Sequence, residues 1–274
     1  MKIYISADIE GISGVVNGTH TSPQGYDYNR ARKLMTDEVN AAAKGAKLAG
    51  ATTILVNDSH GPMTNLLIEE LDEDVVLISG NQKLLRMMEG IDHTYDAALL
   101  IGYHARHNTS GVLSHTYHDA VISEVKINGK IVGEFEFNTL VAGQYNVPVV
   151  FVSGDDILSE QVKEFNPEIE TLIVKNTHSR CTAGCIQPKK VHRLMEEKVQ
   201  KILTDKLKSI SSPKIEGKVE LEVAFLNSGM AEATLLIPGV ELIEPNRVKY
   251  VAKDLIEAYK MRAALTTLAA STLY

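Results

Sequence analysis

The stretch Ile3-Tyr4-Ile5-Ser6-Ala7-Asp8-Ile9-Glu10-Gly11 decides how this chain is read. Its apolar opening is a strand, and the strand ends in two carboxylates spaced i, i+2. Side chains at that spacing point to the same side of a strand. Two carboxylates held so close repel each other unless a proton or a cation lies between them. Gly11 follows at once, which lets the chain turn sharply or lets a ligand approach the backbone. The pattern suits a metal site, and it equally suits a polar strand end facing water. The surrounding sequence weighs between the two.

Working outward, two further apolar runs end in histidine. Thr53-Ile54-Leu55-Val56 leads into Asn57-Asp58-Ser59-His60-Gly61, and Ala97-Ala98-Leu99-Leu100-Ile101-Gly102 leads into Tyr103-His104. Such aliphatic runs fit strands buried on both faces of a parallel sheet. In open α/β sheets, ligands bind beyond the carboxyl ends of the strands. Asp8, Glu10, His60 and His104 are therefore expected on one rim. Glu134 is a fifth candidate, after the hairpin pattern Val125 to Gly133, whose Asn128-Gly129 pair is a two-residue turn signal. Carboxylates and imidazoles in this mix suit zinc, or manganese and cobalt at looser selectivity. Five such side chains are too many for one tetrahedral ion with an open position, and they match two ions that share a carboxylate and a water.

Each residue also has a plainer reading when taken alone. A histidine at a strand end commonly makes local hydrogen bonds. Glu134 suits the first turn of a helix, where the helix dipole favours an acid. Asp58 either orients a ligand histidine or caps the turn after it, and Asp155-Asp156 suits a helix start. His20, His93 and His192 belong to no pattern.

The alternation of patterns points to an α/β fold, a mostly parallel doubly wound sheet with a smaller C-terminal α+β unit. A long helix is expected over Asn29 to Leu48, with Gly50 closing it. Short helices are expected at 64–71 and 83–90, around a strand at Val75 to Ile78. A helix from Phe135 to Tyr145, a strand from Pro148 to Ser153, a helix from Ile157 to Phe165 and a strand from Thr171 to Val174 follow. Pro188 suits a helix start, Lys218 to Phe225 alternates as a strand, and a last helix begins at Asp254. The expected units are a catalytic, metal-binding domain at 1–186 and a C-terminal unit at 187–274, which stands apart or packs as part of one domain.

With 28 Lys plus Arg against 35 Asp plus Glu, the net charge is −7, which argues against a nucleic-acid partner. Membrane spanning is not expected, because no apolar run approaches the ~20 residues a span needs. Met1-Lys2 runs straight into the first strand with no signal peptide, so a cytoplasmic protein is expected. Cys181 and Cys185 are expected as free thiols there, with a soft-metal site including His178 as the weaker alternative.

Several of these motifs together resemble the DppA-type D-aminopeptidases. They are Ser-Ala-Asp-Ile-Glu-Gly at 6–11, Asn57-Asp58-Ser59-His60-Gly61, Gly102-Tyr103-His104, Ser114-His115-Thr116, Asn128-Gly129 through Gly133-Glu134, and Val147-Pro148-Val149 through Ser153-Gly154-Asp155-Asp156. The resemblance runs from residue 2 to about 180 and continues more loosely to the C-terminus. It implies a dinuclear zinc site, two Zn2+ per chain, that cuts the N-terminal D-amino acid, such as D-Ala, from short peptides. It implies that Asp8 bridges the ions, that Glu10 and His104 complete one, that His60 and Glu134 complete the other, and that His115 is the catalytic residue. It also implies a homo-oligomer, a decamer of two stacked five-membered rings. Glu136-Phe137 and His118 depart from the family's pattern, which puts substrate preference in doubt. Another dinuclear hydrolase, an amidohydrolase or a phosphoesterase, would use the same ligands. A phosphoesterase would want cations aimed at phosphate, and Arg106 and Lys175 are the candidates near the rim. A non-catalytic metal-binding assembly protein would want a closed site, often with cysteine ligands.

Overall fold

β1 (Lys2–Ala7) is an interior strand of a seven-stranded sheet in the computed structural model, which describes residues 1–273, the side chain of residue 208 aside. β2 (Thr53–Asp58) and β3 (Val75–Ile78) follow on one side of it. β4 (Ala97–Ile101), β7 (Val149–Asp155), β8 (Glu170–Ser179) and β9 (Thr182–Cys185) follow on the other. The order is β3-β2-β1-β4-β7-β8-β9, parallel except for the β8–β9 hairpin. The chain reverses its direction of travel across the sheet between β1 and β4, so a crevice opens beyond their carboxyl ends, where α/β sheets bind ligands. β1 and β4 are buried throughout after Lys2, as their aliphatic runs require.

Helix α1 (Gly18–Thr21) follows the loop after β1, and α2 (Tyr28–Leu48) covers one face of the sheet. α5 (Pro188–Asp205) packs along α2. α3 (Glu134–Gln144) lies between the two sheets' strands in sequence, and α4 (Asp156–Phe165) flanks β7 and β8.

A second sheet, antiparallel and five-stranded, has the order β11-β12-β10-β5-β6. Its strands are β5 (Ile122–Ile127), β6 (Lys130–Val132), β10 (Val219–Phe225), β11 (Glu241–Glu244) and β12 (Arg247–Ala252). α6 (Ser228–Thr234) and α7 (Leu255–Ala270) pack beside it. Sheet membership thus does not follow a boundary at 186/187. The hairpin β5–β6 leaves the first half to pair with β10, and α5 stays with the first sheet. Apolar residues of both sheets share one continuous core.

Two expected helices are absent as such. The spans 64–71 and 83–90 carry single 3-10 turns at Ile68–Glu70 and Arg86–Met88. Positive φ at Met63, Gln82 and Arg86 breaks any longer helix there.

Candidate metal centre and cavity

Two glycines let the loop after β1 touch the loop after β4. A Cβ on Gly11 would lie 1.9 Å from the Tyr103 carbonyl oxygen, and one on Gly102 (φ +72°) would lie 2.2 Å from that of Asp8. No other residue permits such an approach. The result sets Asp8 and His104 side by side at the switch point.

His60 Nδ1 lies 3.3 Å from Asp8 Oδ1 and 3.0 Å from Glu10 Oε2. His104 Nε2 lies 3.5 Å from Asp8 Oδ2 and 3.3 Å from Glu134 Oε1. Asp8 therefore stands between the two imidazoles. His115 stacks on His104 with ring centroids 4.0 Å apart, and its Nε2 is 3.7 Å from Glu134 Oε1. Two trios bring their ligand atoms within 4.8 Å of one another: Asp8, Glu10 and His104, and His104, His115 and Glu134. The structure thus gathers all six sequence-predicted residues, with His60 against Asp8 and Glu10, and Glu134 against His104 and His115.

The histidines are oriented in a common way. His60 Nε2 meets the Thr21 carbonyl at 2.8 Å, His104 Nδ1 meets that of Ala105 at 3.0 Å, and His115 Nδ1 meets that of Leu113 at 2.9 Å. A carbonyl only accepts, so these ring nitrogens carry protons and donate. In a neutral ring the other nitrogen is then a lone pair, and all three are turned toward carboxylates. Acceptors facing acceptors in a buried site call for cations between them. Glu10 Oε2 and His104 Nε2 are buried without an aligned hydrogen-bond partner among the described residues. The donor set fits zinc.

The electrostatics agree. Burial and the neighbouring Glu10 carboxylate push Asp8 up to about 8. Burial raises Glu10 as well, but His60 beside it more than offsets this and holds it well below the carboxylate range. Burial lowers His104, yet Glu134 outweighs it and lifts the imidazole to about 10. Without metal the cluster holds protons where cations would sit. His115 is the exception, lowered by burial and by His104.

Supporting groups fix the loops. Asp58 accepts hydrogen bonds from the Asn65 and Leu66 amides, at 2.5 and 2.7 Å, and so pins the His60 loop without touching the imidazole. Asp155 caps α4 through the Leu158 amide and accepts from the Val112 amide, so it is no ligand. Lys175 is fully buried, and its Nζ donates to the carbonyls of Glu10, Ile12 and Val15. It acts as an internal tie for the loop that carries Glu10, not as a rim cation. Arg106 pairs with Glu136 at 3.1 Å. Glu136 also receives the Gly133 amide and caps α3, while Phe137 packs on Tyr117 and Tyr259. Neither Glu136 nor Phe137 lines the cavity. Cys181 and Cys185 are free and exposed on the β8–β9 hairpin.

The cluster forms one side of a cavity of about 700 Å³. Met63, Arg86, Leu113 and Tyr117 line it with positive φ, from 47° to 59°. Backbone strain of this kind concentrates at functional sites. α7 contributes Arg262, Ala263, Thr266, Thr267 and Ala270. It is tied to the site by Tyr259, whose hydroxyl donates to Asn138 Oδ1 at 2.8 Å, while Asn138 Nδ2 donates to Tyr103 at 2.9 Å. Arg262 and Tyr117 escaped the sequence reading, because an arginine in an apolar helix and a loop tyrosine carry no motif.

Fold and cluster together define an α/β protein with a candidate cation-binding centre on its switch-point rim. The chain belongs to the D-aminopeptidase family of peptidases, whose model matches residues 1–264. It is 41% identical over 275 aligned positions to a D-aminopeptidase of Bacillus subtilis (strain 168), covering 99% of each chain. It also matches the structure of the Zn-dependent D-aminopeptidase DppA from Bacillus subtilis, described as a self-compartmentalizing protease. The TM-score is 0.97 and the identity 40%, over all of both chains. Among the described residues no helix is long and apolar enough to cross a membrane.

Proposed function

We propose that this chain is a zinc-dependent aminopeptidase that releases an N-terminal D-residue, such as D-Ala, from short peptides. The observation that carries the reading is the set of three imidazole lone pairs turned toward three buried carboxylates, in a chain of this family. Two zinc ions per chain would be held by Asp8, Glu10, His60, His104 and Glu134, with Asp8 shared because it stands between the two histidines. Bound zinc supplies Lewis-acid polarisation of the scissile carbonyl and a water acidified toward neutral pH.

The protein's own residues do the rest. Carbonyls of Thr21 and Ala105 keep the ligand imidazoles turned inward. His115, at the cavity with its pKa lowered, is suited to take a proton and return it to the leaving amine, or to donate to the oxyanion. The carboxylates at the cavity base suit the free amine of a peptide. An L-residue held by the same amine and carbonyl would point its side chain at a different wall, and a tight pocket then discriminates by about 1–3 kcal/mol. A second reading is favoured by the His104–His115–Glu134 trio: His115 is itself a metal ligand. Metal content of His115→Ala separates the two.

The self-compartmentalizing habit of the homologous DppA supports a closed homo-oligomer here, and the resemblance to its family is what implies a decamer of two stacked pentamers. Light scattering at micromolar concentration tests it, and a monomer mass rejects it. Two exposed free thiols suit the reducing cytoplasm. The activity is tested with zinc-loaded protein on D-Ala and L-Ala dipeptides and their N-acetylated forms. Only the free D-Ala dipeptide should turn over well. Equal rates on both enantiomers, or cleavage of the blocked peptides, rejects D-aminopeptidase action.

A further inference from the structure

Among the described residues Arg262 is a charge without a counterpart. It sits in the middle of α7, in the apolar run Leu255–Ala270, and is 4% exposed. Its Nε and Nη2 are buried with no hydrogen-bond partner, and among the described residues no carboxylate lies within ion-pair distance of it. Its guanidinium lies over the Tyr117 ring, 3.4 Å from the centroid, and 5.0 Å from that of Tyr259. Stacking on two rings offsets part of the cost of burial but uses the face of the guanidinium, not the donors in its plane. A buried cation whose in-plane donors are unused is unfavourable unless something else completes it.

The surroundings say what that is. Arg262 lines the same cavity as Asp8, Glu10, His60, His115 and Glu134. Tyr117 links the two sides, since its amide donates to Glu134 Oε1 at 2.5 Å while its ring carries Arg262. One residue thus reaches from the metal cluster to the guanidinium. The other arginines at the cavity are engaged or solvated. Arg180 is exposed and donates to the Ser114 carbonyl, and Arg86 donates to Asn81 Oδ1. A guanidinium with unused donors at a cavity wall is suited to a carboxylate.

We propose that Arg262 binds the C-terminal carboxylate of the substrate, so that the cavity selects short peptides with a free carboxyl terminus. This rests on the aminopeptidase reading for the other end of the peptide. Zinc would sit at the scissile bond, and Arg262 would close the far end, where an amidated peptide leaves the guanidinium unpaired.

The test compares D-alanyl-glycine with D-alanyl-glycinamide on the zinc-loaded wild type, Arg262→Gln and Arg262→Lys. It adds equilibrium binding of both compounds to the metal-free proteins. For the wild type, kcat/KM on the acid should exceed that on the amide by roughly tenfold to a hundredfold, mainly through KM. In R262Q the acid-to-amide ratio should collapse to near one, whatever the absolute rate, and R262K should retain part of it. The metal-free proteins should show the same preference in binding. A wild-type ratio near one overturns the proposal, as does an R262Q ratio equal to that of the wild type. If R262Q does not fold, the wild-type ratio and R262K decide. Turnover of acid and amide alike leaves the aminopeptidase reading standing and removes this subsite. Acid-selective binding that Arg262 governs, with no release of D-Ala, keeps the subsite and removes that reading.

Discussion

One side of the cavity is a rim of strand ends and the other is the face of a helix. On the rim, Asp8, Glu10 and His104 come from loops that glycines 11 and 102 allow to touch, and His60 and Glu134 join them from the end of β2 and the start of α3. On the helix, Arg262 is held against two aromatic rings with no ion-pair partner among the described residues. The rim is built to hold cations and the helix face to hold an anion. A peptide with a free amine and a free carboxylate has the polarity that joins them.

The comparison breaks first at the rim. Asp8→Ala should abolish activity, by roughly a thousandfold or more, because it removes the carboxylate between both imidazoles. D-Ala release from a dipeptide measures this, and a rate near that of the wild type removes the rim from the chemistry. His115→Ala should lose about a hundredfold or more in turnover while keeping its metal. Loss of metal makes His115 a ligand, and normal turnover makes it a bystander.

Lys175 sharpens the account of how the rim is held. Replacing it with Met leaves the carbonyls of Glu10, Ile12 and Val15 without their donor. Zinc affinity should fall by roughly tenfold to a hundredfold, as for other groups that orient ligands. Competition with a chelator reads this, and unchanged affinity would mean that the loop needs no tie.

The smallest catalytic effect is expected at Glu38, which receives the Ser13 amide at 2.9 Å and leaves Oε2 buried and unpartnered. Burial raises its pKa from 4.5 to about 7, against the pull of the Ser13 amide and Lys175. The folded pKa lies above the unfolded one, so its contribution to stability is full below pH 4.5 and is lost as pH rises through about 7. The loss amounts to at most about 3 kcal/mol. Glu38→Gln should flatten this dependence with little change in turnover. Urea midpoints at pH 4.5 and 8 test it, and an equal fall in both proteins contradicts it.

The two sides also differ in how far the sequence reveals them. Aliphatic runs that lead into Asp8, His60 and His104 mark a parallel sheet, and it is the recurrence of acids and imidazoles at three strand ends, not any one of them, that marks a ligand rim. Helix α2, the hairpin at Asn128-Gly129 and the start of α7 at Asp254 were legible for the same reason, local chemistry acting within a few residues. The spans around Ile68 and Met87 were not, since the positive φ at Met63, Gln82 and Arg86 that breaks them falls on residue types that do not announce it. Nor was the pairing of β5 with β10, which joins positions about a hundred residues apart. Arg262 stood in a stretch that reads as core helix, and only its missing partners distinguish it from an arginine that reaches solvent. Glu136, which stood out in sequence, proves to be a helix cap paired with Arg106.

The central claim is that the strand-end cluster holds two zinc ions with Asp8 between them. Elemental analysis of the dialysed, zinc-saturated protein beside its Asp8→Ala variant tests it most directly. The account predicts close to two ions per chain for the wild type and close to none for the variant. One ion or fewer in the wild type, or a full complement retained without Asp8, would contradict it.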